Sequence, residues 1–111
     1  MERTQELENL ILQILGEFRD YFNQGNGTPV QLIVDRETKH YQLVMIGWEN
    51  KKRHFGVLAH LCLKNDKVNL EYNGTAEDFI AQLEKLGVQK SEVVVAFHAP
   101  YLRPLTGYAL E

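Results

Sequence analysis

A chain of 111 residues is long enough to bury one core without disulfide or metal support, and too short to hold a second domain. Its 44% apolar content, with Trp48 and ten further aromatic residues, is that of a folding chain, so order is expected nearly end to end in one domain spanning 1–111. A formal net charge of -3 argues against general attraction to polyanions, and the single cysteine, Cys62, excludes an internal disulfide and agrees with a reducing, cytoplasmic setting. No apolar run approaches the roughly 20 residues that span a bilayer, and Met1 to Glu8 is too polar for a signal peptide, so no membrane association is expected.

Leu7, Leu10, Ile11, Ile14, Leu15, Phe18, Tyr21 and Phe22 recur at steps of three and four, which predicts an amphipathic helix. Glu2, Glu6, Glu8, Gln13 and Glu17 fall largely off that stripe. Asn23 to Pro29 removes helical preference, so the helix is expected to stop near Phe22.

The period then changes to two. Val30, Leu32 and Val34 alternate with Gln31 and Asp35, a polar turn follows at Arg36 to Lys39, and a second run extends from His40 to Trp48. After a turn at Glu49 to Lys52, strict alternation places Phe55, Val57, Ala59, Leu61 and Leu63 on one face and His54, Leu58, His60 and Cys62 on the other. Asn65-Asp66 turns the chain into Val68, Leu70 and Tyr72. Sequential strands joined by such short turns pair antiparallel, so a β-meander is predicted. Thr75 is the expected cap of a second helix carrying Phe79, Ile80, Leu83 and Leu86, with Gly87 at its end. Val93 to Val95 predicts one further short strand, and the tail from Tyr101 is too apolar to hang free. The fold class is therefore α+β: a four- to five-stranded antiparallel meander packed against an N-terminal helix and a second helix.

Strands two and three are apolar on both faces at mid-length, whereas a sheet with one solvated face alternates more cleanly. Two helices cover one face. Val44, Ile46, Trp48 and Leu58 then mark a face to be covered by the C-terminal tail, by self-association or by a protein partner.

Chemistry is sparse by comparison. His60 and Cys62 share a face two residues apart but lack third and fourth ligands, which reads as sheet packing, with no metal or other cofactor expected. Asp35 with Glu49-Asn50-Lys51 imitates the acid and E-x-K element of metal-dependent nucleases, a weak match because these residues sit at turns and strand ends. Cys62 lies within a regular strand with nothing to activate a thiolate. Lys51, Lys52 and Arg53 form the basic cluster, either a phosphate contact or a solvated turn. His98 and Arg103, between Pro100 and Pro104, form either a binding loop or a set of ties to backbone carbonyls, and Arg103 also joins the nucleic-acid candidates.

Several segments carry a resemblance: Val30 to Asp35, His40 to Val44, Gly47-Trp48, Tyr72-Asn73-Gly74-Thr75, Gly87-Val88, Val93 to His98, and Pro100, Arg103, Thr106 and Gly107. In order and spacing they resemble the XisI family, the fdxN element excision controlling factors, small α+β proteins of cyanobacteria. The likeness runs through nearly the whole chain and departs mildly at Gln89, Ala99 and Pro104. It implies a non-enzymatic factor controlling a programmed DNA rearrangement of the heterocyst type. Such a factor acts beside an XisH-like companion while a site-specific recombinase cleaves the strands, so its association with DNA is indirect. The family supplies no catalytic residues to carry over. Direct DNA binding through the basic turn and Arg103, and metal-dependent nuclease activity, stand as the alternatives.

Overall fold

The apolar stripe of the first segment becomes α1, Glu2–Phe22, in a computed structural model that describes residues 2–25 and 27–111. Leu7, Ile11, Ile14 and Leu15 are buried along it, and Leu10, Phe18 and Phe22 pack at its margins. Tyr21 leaves the stripe and is exposed. Four strands follow as expected: β1 Val30–Asp35, β2 His40–Glu49, β3 Lys52–Lys64 and β4 Lys67–Asn73. They pair antiparallel in chain order. The β3–β4 turn places both Asn65 and Asp66 at positive φ, the twist that two-residue hairpins need.

The fifth strand corrects the purely antiparallel expectation. β5, Val93–Val94, runs parallel to β4, because α2 (Phe79–Lys85) carries the chain back across the sheet before it re-enters. The sheet is therefore mixed. The α2 cap also moves: Asp78, not Thr75, accepts the Ala81 N–H at 3.0 Å, while Thr75 Oγ1 donates to Asn73 and accepts from Glu77 N–H in the preceding turn. Gly87 ends the helix at φ 103°, as expected.

Both helices lie on one face, where Tyr41, Leu43, Leu61, Val68 and Val93 meet Leu7, Ile11, Phe79 and Leu83 in a continuous core. A buried polar contact ties the layers together: Tyr41 Oη donates to Glu8 Oε2 at 2.5 Å. Burial and that carboxyl group both push the Tyr41 phenol above its ordinary value, so it stays a donor. At the helix start, Arg3 Nε and Nη2 donate to both Glu92 oxygens at 2.7 and 2.6 Å, joining α1 to the turn before β5. The Arg3 guanidinium holds the Glu92 carboxyl below its ordinary range.

The tail does not hang free. It forms a 3-10 segment, Pro100–Leu105, and returns so that Ala109 N–H donates to Val93 O at 2.7 Å. Tyr108 packs against the core, and its hydroxyl donates to Glu84. The tail thus closes the β5 edge and leaves the far half of the reverse face open. Among the described residues no helix is long and apolar enough to cross a membrane.

Candidate functional site

The open surface is the reverse face of β1, β2 and β3, and two irregularities decide which side chains stand on it. The β2–β3 register shifts between Leu43 and Val44, where Tyr41 pairs with Leu61 and Leu43 with Ala59, but Val44 pairs with Val57 and Ile46 with Phe55. Leu58 is the inserted residue, and beyond it the alternation of β3 inverts. Strict alternation therefore misassigns this strand. Phe55 and Val57 stand on the open face with Val44, Ile46 and Trp48, whereas Leu58 packs against the core. Leu58 leaves the candidate partner surface for that reason. His54, paired with Gly47, likewise moves to the face opposite His60. A second shift between His60 and Leu61 sets Tyr72 opposite His60, on the open face.

Strand lengths give this face its relief. β1 stops pairing at Val30 with Met45 and β4 at Asn73 with Ala59, so the tip of the β2–β3 hairpin projects as a two-stranded arm. The Thr28-Pro29 segment crosses its base against Gly47, where an added Cβ would lie 3.0 Å from Pro29 Cδ. The arm carries Trp48 and Phe55 at 63% and 70% exposure. Arg53 stacks between them, its guanidinium carbon 5.5 Å from the Trp48 ring and 6.0 Å from Phe55. Val57 and Tyr72 continue the patch across a shallow cavity shared with Gly56, His60 and Glu71. Val44, although on this face, is buried among its neighbours, and Ile46 is half-buried. Lys51 and Lys52 sit at the tip, exposed, with Lys52 paired across from Glu49.

Further along the same face a polar cluster lines a second cavity: Thr38, His40, His60, Cys62, Lys64 and Glu71. His40 Nδ1 lies 2.9 Å from His60 Nε2, and His60 Nδ1 lies 3.0 Å from Gln42 Oε1, which can only accept. Burial and the neighbouring His40 lower the His60 pKa. The Cys62 thiol donates to Glu71 Oε2 at 3.4 Å, and burial with that carboxyl group pushes it up to about 11, the wrong direction for a nucleophile. His40 was missed in the sequence because its nearness to His60 depends on the β2–β3 register. Among the described residues no group of three or more His, Cys, Asp or Glu is placed to hold a metal ion.

The remaining candidates disperse. Asp35 pairs with His40 at one end of β2 and Glu49 ends the other, roughly 30 Å away by strand rise, so the acid and E-x-K residues cannot share a metal. Asp35 instead accepts from Glu37 N–H, Thr38 N–H and the Thr38 hydroxyl, which hold its pKa below the usual carboxylate range. Arg103 donates to the carbonyls of His98, Ala96 and Leu110. It therefore serves the tail, and it leaves both the partner and the nucleic-acid sets because three carbonyls hold its guanidinium. His98 lines a separate cavity with Val95, Leu102, Leu105, Thr106 and Tyr108, away from the arm.

Comparison with known proteins gives one consistent result. The model of the family described as XisI protein matches residues 1–110. A crystal structure of a XisI-like protein from Anabaena variabilis ATCC 29413 is similar at TM-score 0.89 and 28% identity, covering 97% of this chain and 99% of that one. The fdxN element excision controlling factor XisI from the same organism is similar in fold at TM-score 0.84 and 24% identity, covering 98% and 99%. None of the curated proteins matches.

Proposed function

This chain belongs to the XisI protein family, and on that premise we propose that it is a non-enzymatic accessory factor in the excision of a DNA element. It acts by binding a companion protein of the XisH type, and the recombinase performs the cleavage. One solved structure of similar fold is that of an fdxN element excision controlling factor, which supports the setting. The observation that carries the binding role is the arm: two aromatic side chains more than half exposed on a two-stranded ribbon, continuous with Val57 and Tyr72. Exposed Trp and Phe are costly to leave in water and are the residue types that anchor protein interfaces.

The test is co-purification of this chain with an XisH-like companion. Trp48→Glu and Phe55→Glu are expected to abolish capture while far-UV circular dichroism stays that of the parent chain. Capture that survives both changes removes the arm from the interface.

A second reading has one observation in its favour. A two-stranded ribbon fits the major groove, and this one carries Lys51, Lys52 and Arg53 at its tip. On that reading the isolated chain retards element-end DNA with steep salt dependence, and absence of binding at low salt rejects it.

A further inference from the structure

The outer edge of β1 carries an inference of a different kind. Ile46 N–H donates to Pro29 O at 3.1 Å, which fixes the phase of the β1–β2 ladder. Gln31, Ile33 and Asp35 turn their backbone groups toward β2, and Val30, Leu32 and Val34 turn theirs outward. The Asn23 carboxamide takes up both outward groups of Val30, donating to its carbonyl at 2.9 Å and accepting from its N–H at 2.8 Å. Among the described residues, Leu32 and Val34 have no such partner on that side.

The edge also lacks the usual defences. Between Val30 and Val34 there is no charge, no proline and no bulge, three of the five residues are β-branched, and Ile33 and Val34 are 41% and 37% exposed. Edge strands that stay free in solution are blunted by lysine, proline or irregularity. The opposite edge, at β5, is closed by the tail.

We infer that β1 is a self-pairing edge, and that its occupant is β1 of a second copy of this chain, antiparallel about a two-fold axis at Ile33. In that register Leu32 of each copy exchanges N–H···O=C bonds with Val34 of the other, using the unpaired outward groups. Ile33 lies opposite Ile33 as a close, non-hydrogen-bonded pair. Asp35, the one charge of the strand, falls opposite the neutral Gln31 of the second copy and not opposite itself, so the pairing sets no like charges face to face. Sliding the register to centre on Leu32 would require Val30, whose groups Asn23 already holds. Asn23 thus excludes that register. The two-fold axis stands perpendicular to the joined sheet, so both arms project from one continuous face.

Sedimentation of the full chain over roughly 1–100 μM should show a monomer–dimer equilibrium. Val34→Pro deletes one outward N–H and no bond to β2, and the fixed φ suits an edge strand. It is expected to weaken the dimer by at least about tenfold, the effect of losing symmetric hydrogen bonds at one interface, with unchanged circular dichroism. Ile33→Cys should give a disulfide-linked dimer on mild oxidation, and Gln31→Cys should not, since position 31 lies opposite Asp35 of the second copy and not opposite itself. Cys62, buried and with its thiol pushed up, supplies no competing link. A wild-type chain that remains monomeric throughout overturns the inference. So does a dimer that fails to link through Ile33→Cys, or one that survives Val34→Pro and is lost with Trp48→Glu, which places self-association on the arm.

Discussion

The two faces of this one sheet are built from the same residue types and do different things. On the helix side, Tyr41, Leu43, Ala59 and Leu61 are essentially inaccessible to solvent, each locked between α1 and its cross-strand neighbours. On the other side Trp48, Phe55, Val57 and Tyr72 are likewise large or branched apolar side chains, yet stand between 40% and 70% exposed. Burial, not composition, separates a stabilising residue from one available to a partner. The comparison breaks most sharply by truncation. Leu61→Ala is expected to cost about 3 kcal/mol by loss of transfer energy and creation of a cavity, whereas Phe55→Ala should stay within about 0.5 kcal/mol. Urea unfolding of the two variants reads both values. Equal losses would mean that the arm is part of the folded core.

A smaller effect probes the one polar contact inside the covered face. Tyr41→Phe keeps the ring and its packing but leaves the Glu8 carboxyl group, 4% exposed, with only the Gln5 amide at 3.5 Å. The expected cost is about 2 kcal/mol, the usual penalty for stranding a buried hydrogen-bonding group of this kind. Thermal or urea unfolding measures it, and replacement of both partners, Glu8→Leu with Tyr41→Phe, should recover much of the loss. No recovery would show that the contact is held by geometry elsewhere and not by its own hydrogen bond.

The contrast between the faces also explains what the sequence could disclose. The end of α1 at Phe22, the β1 to β4 runs and the turns between them follow from local punctuation, since Pro, Gly and Asn act on their immediate neighbours. Trp48 and Ile46 were legible as a second apolar face by alternation. Phe55 and Val57 were not, because a bulge is a property of two paired strands and not of one. The unbroken apolar run Val57-Leu58-Ala59, at the bulge, was the available signal. Glu8 falls off the helix stripe because that stripe is defined by apolar residues, and its burial is set by Tyr41, which is 33 positions away. The parallel entry of β5 and the closure of Arg103 on three carbonyls are likewise products of chain return. Thr75 and Asp78 are both good caps, and the choice of Asp78 falls to where α2 docks its Phe79 on Phe18, with ring centroids 4.6 Å apart.

The gentlest prediction sits at the boundary between wet and dry parts of the open face. His60 Nδ1 carries the proton that Gln42 Oε1 accepts, and its Nε2 faces His40 Nδ1, so the pair is held while at least one ring is neutral. Burial first, and His40 second, depress the folded pKa of His60 below its ordinary 6.5, with Glu71 opposing. The facing groups are thus His40 from β2, Gln42 beside it, and Glu71 from β4. A depressed folded value means that the unfolded chain binds more protons between that value and 6.5. Stability therefore rises with pH through that interval and falls as pH drops through it. His60→Gln should flatten this part of the stability profile while leaving the plateau above pH 7 little changed, as urea titrations at stepped pH would show. A slope that persists in His60→Gln assigns the titration to another group and leaves the histidine pair as packing alone.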